Sequence, residues 1–362
     1  MKSFTLACTL SVCALFLQSS GSLKAEERVV LPPIGQVAFS ESGRYVAAVA
    51  EQIYIFDLVG YRLSRKIKVA PFHRSHMLKF YGNDEYIIIG YTRGLDVWKI
   101  DNGELVLHLE AGPVLGFDIY KNLVLTGNYQ GTLMLWDLDT GRKIWERKRR
   151  FPNLHNVFFF NNGKKAITGG DDGNLTIWDI ARKEIEVVIG VDEFAFSSGD
   201  ISKDESLFIS NGSGSLLYLW NIDKTTPVKT FKEQSSHDGC LKFIPNSRLF
   251  VSCGYRWVYI WSLDAEDPLK KLEGHRQVVS SLDVSPDGSL IVSGSWDRTV
   301  RIWATKSGKE LFVFGFPEEE PPGEVPPFAG MGIALLVFAT TVLMAIAVAF
   351  YAGIRIVRKY RK

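Results

Sequence analysis

The sequence predicts an all-β architecture of seven repeated four-stranded units, with a secretory leader before it and one transmembrane α-helix after it. Aromatic residues end strand-like runs at Phe56, Trp98, Trp136, Trp178, Trp220, Trp261 and Trp303, in steps of 42, 38, 42, 42, 41 and 42 residues. Between these runs, short turns rich in Gly, Asn, Asp and Ser (SESG, GND, NNG, KDES, PNS, SPDG) mark hairpins of ordinary length. Near the C-terminus, the stretch from Val325 to Ile354 holds no charged residue.

The last unit is the most complete. Leu272–Trp303 reads as three strands, Val278–Val284, Ser289–Gly294 and Arg298–Trp303. The first hairpin turns at Ser285–Gly288, where Pro286 pre-sets φ and Gly288 is free to take a positive one. This unit resembles a repeat of the WD-repeat β-propeller family, as does the period of about 40–45 residues. The resemblance covers roughly residues 30 to 315 and implies a seven-bladed β-propeller of four-stranded sheets. It also implies a buried hydrogen-bond chain of His275, Ser293, Asp297 and Trp303. In that chain the Trp303 indole donates to Ser293, Ser293 pairs with His275, and Asp297 orients the imidazole. Every member has the donor or acceptor that its neighbour needs. A catalytic or metal-binding role for His275 and Asp297 is the competing reading, and within this pattern the structural role is expected.

The other copies are degenerate. The fourth keeps Thr168, Asp172 and Trp178, with Arg150 where the histidine should stand. Asp137 and Asp179 keep the family's Asp after Trp, whereas Lys99, Asn221, Ser262 and Ala304 replace it. Blades without the network are expected to rely on apolar packing between sheets. Candidate outer strands follow each third strand: Arg65–Val69, Glu104–Leu109, Lys143–Arg147, Lys183–Ile189, Val228–Phe231, Leu269–Leu272 and Glu310–Phe314. Arg28–Leu31 is an eighth candidate for seven places, so either it or Glu310–Phe314 completes the last blade.

Residues 1–25 read as a signal peptide: Lys2, an apolar run from Phe4 to Phe16, then a polar stretch to Ala25. Cys13 sits in a weak lipoprotein-like context, with bulky Val12 before it. The mature chain retains Cys240 and Cys253. A hairpin turning through Pro245–Ser247 sets Cys240 opposite Ser252, which points the two thiols to opposite faces and predicts no disulfide. No Cys/His group has zinc-ligand spacing.

The repeat register places Tyr91, Tyr129, Asp171, Ser213, Tyr255 and Trp296 at equivalent tips between second and third strands. Four aromatics there point to a binding face, unless the rings fold down over neighbouring blades. The resemblance implies protein or peptide ligands on that face. Arg93, Arg256 and Arg298 lie nearby. The basic run Arg147–Arg150, with Arg142 and Lys143 before it, reads as a solvated loop or as a grip on an acidic partner. On the innermost strands, Lys79, Asp118, Asp200, Lys242 and Asp283 share one position with Ala38 and Phe158, a pattern of alternating charge that predicts structural pairing.

Residues 316–327, FPEEEPPGEVPP, form a Pro- and Glu-rich spacer expected to be extended. Residues 328–354 are long enough to span a hydrocarbon core of about 30 Å. The tail, residues 355–362, carries five basic residues and is expected in the cytoplasm. The net charge of +2 comes from the two ends. Without the leader's two lysines and the tail's five positives, residues 26–354 stand at −5, four of it from the spacer. The basic ends therefore give no reason to expect nucleic acid. The expectation is a membrane protein anchored by residues 328–354, with residues 26–315 displayed outside the cytoplasm as a non-enzymatic scaffold for a protein or peptide. No cofactor is expected. Three alternatives compete: an exported propeller enzyme, such as a quinone-dependent dehydrogenase or lactonase, a receptor signalling through a membrane partner, and a C-terminal sorting signal that is processed.

Overall fold

The computed structural model describes residues 30–69, 75–149, 153–190, 196, 198–212, 215–224, 227–232 and 240–315. All lie in the first of two compact units, Met1–Pro317. The leader, spacer, apolar span and tail fall outside the described residues, as do Arg28, Arg150 and Ser213. Among the described residues, no helix is long and apolar enough to cross a membrane.

Those residues form a seven-bladed β-propeller. Each blade is an antiparallel sheet of four strands in sequence order. The first strands are Gln36–Phe39, Ser75–Tyr81, Val114–Tyr120, Leu154–Phe160, Gly199–Ile201, Leu241–Ile244 and Val279–Val284. They neighbour one another in turn, and the last lies beside the first, closing the ring. Third strands run Ile53–Asp57, Gly94–Lys99, Thr132–Asp137, Asn174–Asp179, Leu216–Asn221, Val258–Ser262 and Thr299–Ala304. The seven aromatics that set the repeat period are all buried there, between adjacent sheets. Second and third strands are apolar on both faces because each central strand is covered by a blade on either side, so seven apolar layers replace a single core.

The outer strands are Arg62–Ile67, Leu105–Leu109, Lys143–Lys148, Glu184–Gly190, Pro227–Lys232, Lys270–Leu272 and Glu310–Gly315. The last of these settles which segment completes blade seven: Glu310–Gly315 pairs with Thr299–Ala304. Leu31 and Ile34, just before blade one, are buried instead as irregular chain against the blade-one/blade-seven layer. There the Ile34 N–H donates to the Ser295 carbonyl at 3.1 Å.

Blade six corrects the expectation for the cysteines. Its first hairpin turns through four residues, Pro245–Arg248, because Ile244 pairs with Leu249. Asn246 takes φ 56°, and the Ser247 hydroxyl donates to the Ile244 carbonyl at 2.8 Å. That one-residue slip moves every side chain to the opposite face. Cys240 now faces Cys253, and the two form a disulfide with Cα atoms 5.3 Å apart.

Candidate functional site

The inner ring is held by side chains that reach from one blade to the next. Asp118, Asp200 and Asp283 accept the backbone N–H of Phe159, Phe243 and Phe39 on the following blade at 2.7, 2.8 and 2.8 Å. Two residues before Asp200 and Asp283, Ser198 and Ser281 accept the N–H of Leu241 and Val37 at 3.1 Å. The period-two alternation of a strand turns both positions the same way. Lys79 pairs with Asp118, and Lys242 lies 3.4 Å from Asp200. Burial works against the Lys242 charge, yet Asp200 and Asp283 hold its ammonium above the ordinary lysine range. Each of these five charges thus ties neighbouring first strands together.

In blade seven the Trp303 indole N–H donates to Ser293 Oγ at 2.8 Å. Ser293 Oγ lies 2.7 Å from His275 Nε2, and His275 Nδ1 lies 3.0 Å from Asp297 Oδ2. A neutral imidazole satisfies every member: Nε2 accepts from serine and Nδ1–H donates to the carboxylate. Burial pushes the His275 pKa down, against the pull of Asp297. Burial also opposes the Asp297 charge, but His275, Thr299 and the Arg276 N–H hold its carboxyl well below the usual carboxylate range. The chain extends further than the sequence suggested. The Thr299 hydroxyl donates to Asp297 at 2.6 Å, and Arg301, packed against Thr299, pairs with Glu310.

The degenerate blades are less bare than expected. Indole N–H groups of Trp136, Trp178, Trp220 and Trp261 donate to Thr126, Thr168, Ser210 and Ser252 at 2.8–3.0 Å. The legible signal was a Ser or Thr nine or ten residues before each tryptophan. Blade two breaks the pattern: Ile89 stands at that register, and Trp98 Nε1 is buried without an acceptor. In blade four, Asp172 is held by Arg149. This puts a residue of the basic run, one before the histidine position, against the carboxylate and takes one cation out of that run.

At the end of the propeller that bears the second-to-third-strand loops, three of the four predicted aromatics stand out. Tyr129 is 57% exposed, Trp296 45% and Tyr255 43%. Their backbones are fixed. Tyr129 N–H donates to the Pro113 carbonyl at 2.8 Å, and the Tyr129 carbonyl accepts from Asn153 at 3.1 Å. Trp296 N–H donates to Val278 at 3.0 Å, while Val279 N–H donates to Tyr255 at 3.1 Å. Tyr255 and Trp296 are therefore tied to two consecutive residues of one segment. Arg298 adopts φ 68° where blades three and four have Gly131 (φ 74°) and Gly173 (φ 66°), a conformation that a non-glycine residue adopts at some cost.

Tyr91 behaves differently. It is half-buried beside His108, and burial together with the Asp96 carboxylate pushes its phenol up to about 12. Asp96 is itself buried and lies 2.6 Å from His108 Nδ1. Asp171 is exposed but engaged by His155 Nε2 at 3.0 Å and by Asn153. Although burial opposes its charge, those contacts lower its pKa.

Residues 266–304, which cover blade seven's first three strands, match the family described as WD domain, G-beta repeat. These matches and the geometry support a WD-repeat propeller. The chain is 25% identical over 291 residues to the WD repeat-containing protein WDS homolog of Arabidopsis thaliana, covering 74% of this chain and 54% of that protein. It is 26% identical over 290 residues to the WD repeat-containing protein 26 homolog of Drosophila melanogaster, covering 74% and 45%. Protein groucho of the same fly is 28% identical over 168 residues, covering 44% and 23%. The chain thus spans about half the length of the first two relatives and about a quarter of the third.

Proposed function

We propose that this chain is a non-enzymatic scaffold that binds a protein or peptide on the loop face, displayed outside the cytoplasm and held at a membrane by residues 328–354. The observation that carries the binding reading is the trio Tyr129, Tyr255 and Trp296, large rings exposed on loops whose backbones are locked. Rigid aromatics lose little entropy on docking and bury much area, which is why they recur as interface hot spots. Export is supported by the leader pattern and by the Cys240–Cys253 disulfide, since such bonds persist in oxidising compartments and are rare in the cytosol. The channel charges support the non-enzymatic reading, since each is committed to a neighbouring blade.

The test is crosslinking in native membranes, with protease added from outside. The propeller should be cleaved in intact cells while a tag after Lys362 stays protected. Trp296→Ala or Tyr129→Ala should reduce the crosslinked partner at least about tenfold, the scale of a hot spot worth ~2 kcal/mol. Neutralising Lys143 and Arg147 on the outer edge should change it much less. A protected propeller would refute the topology, and unchanged crosslinking in both aromatic variants would refute the site.

A further inference from the structure

The loop face is not electrically uniform. In blades six and seven, Tyr255 is followed by Arg256, and Trp296 lies beside Arg276 and Arg298: the Arg276 N–H donates to Asp297, the residue after Trp296, at 2.9 Å. Arg256 and Arg276 are exposed, and neither guanidinium is in an ion pair with a described residue. Two acids close to Arg276 in sequence or by backbone hydrogen bond are already committed. Glu273 is held by Lys271 at 2.8 Å, and Asp297 is buried in the His275 network. Blade four instead presents Asp171, which His155 and Asn153 already engage. In blade three Tyr129 is followed by the neutral Gln130.

From these two exposed arginines beside exposed rings we infer that the partner is an acidic, extended peptide segment, seated on the Tyr255–Trp296 sector with its carboxylates on Arg256 and Arg276. The inference rests on the loop face being the binding surface and adds the partner's charge and position. Arginine suits such a role because its planar guanidinium pairs carboxylates in a two-pronged geometry and is weakly hydrated. Aromatic and arginine side chains side by side are also the residue types that carry most binding energy at interfaces. The Tyr255 carbonyl and Trp296 N–H are occupied by Val279 and Val278. Recognition therefore falls to side chains, and charge selects the partner.

Fluorescence anisotropy on the full-length protein in detergent tests this with three labelled peptides of about a dozen residues. One is rich in Glu with a central Phe, one carries Lys in place of every Glu, and one carries Ser. The acidic peptide should bind at least about tenfold tighter than the Ser peptide, and the Lys peptide should not bind. Raising the salt severalfold should erode that preference, because screening shortens the reach of the exposed arginines. Combined Arg256→Glu and Arg276→Glu should abolish the preference without moving the thermal midpoint, whereas Arg147→Glu should leave it intact. Equal binding of acidic and Ser peptides, or a preference that survives the double reversal, overturns the inference. Phosphatidylserine vesicles form the last arm. Vesicle binding lost in the double variant, with no peptide binding, assigns the patch to lipid and also overturns it. If Trp296→Ala abolishes partner crosslinking in native membranes but the double reversal does not, the loop-face site stands and the acidic-partner inference falls.

Discussion

Blades two and seven hold the same sheet, the same third-strand tryptophan and a histidine–carboxylate pair each, yet they arrange their polar groups in opposite ways. In blade seven the carboxylate sits in the loop itself: Asp297 turns inward to His275, and the chain runs on through Ser293 to Trp303. Its neighbour Trp296 is left pointing out. In blade two the carboxylate sits on the third strand. Asp96 draws Tyr91 down from the loop tip and pairs with His108, while Trp98 has only Ile89 where a hydroxyl should be. The residue facing the tryptophan therefore decides whether its indole is hydrogen-bonded, and the third-strand Asp96 goes with the withdrawal of the Tyr91 ring.

The largest effects should come from the buried chain. Trp303→Phe leaves Ser293 without its donor in a dry site, which costs ~1–3 kcal/mol. Trp220→Phe should cost somewhat less, because Ser210 has no histidine network behind it among the described residues. Trp98→Phe removes an indole N–H that has no acceptor, so its polar contribution should be close to zero. Thermal or denaturant midpoints for the three variants should fall in that order. Equal shifts would mean that the tryptophans act through size alone.

Acid should act on blade seven in a defined direction. His275 is held neutral when folded, whereas an unfolded histidine takes up its proton below about pH 6.5. The unfolded chain then binds more protons, so stability falls as pH drops from about 6.5 towards the folded value. The depressed Asp297 carboxyl adds a second loss, beginning below about pH 3.9 and complete once its folded value is passed. His275→Gln should be less stable at neutral pH and show a shallower slope between about pH 7 and 5. An unchanged slope would place the titrating group elsewhere.

A smaller effect sharpens the blade-two side. Asp96→Asn removes the charge beside Tyr91 and should lower that phenol from about 12 towards the ordinary value near 10. Ultraviolet titration in a Tyr129→Phe background reads it, and no change would separate Tyr91 from Asp96.

Much of this was legible in the sequence because a repeat averages out local ambiguity. Seven aromatics in phase fixed blade number, strand order and the equivalence of the loop tips. Outer-strand limits came within three residues. What escaped detection depended on one residue of register or on contacts between distant repeats. The Cys240–Cys253 bond hung on whether a turn has three residues or four, and side-chain direction inverts with that choice. Asp172 finds a partner in Arg149, a residue that the repeat pattern gives no role in the network. The repeat register announced the charge pairs of Lys79 with Asp118 and Lys242 with Asp200, but not that Asp118, Asp200 and Asp283 also accept backbone N–H groups 41 to 244 positions away. Tyr91 looked like Tyr129 and Tyr255 because its fate is set by Asp96, five residues on and across a turn.

That distinction between presented and withdrawn rings is what the functional account depends on, and partner crosslinking by Tyr91→Ala and Trp296→Ala, side by side in the full-length protein, tests it most directly. With both variants normalised to folded protein, Trp296→Ala should lose at least about tenfold, a deficit of ~1.4 kcal/mol or more. Tyr91→Ala should stay within about twofold of the parent. Equal losses, or a greater loss at Tyr91, would contradict the account and move the binding surface to the Tyr91–Asp96–His108 side of the ring.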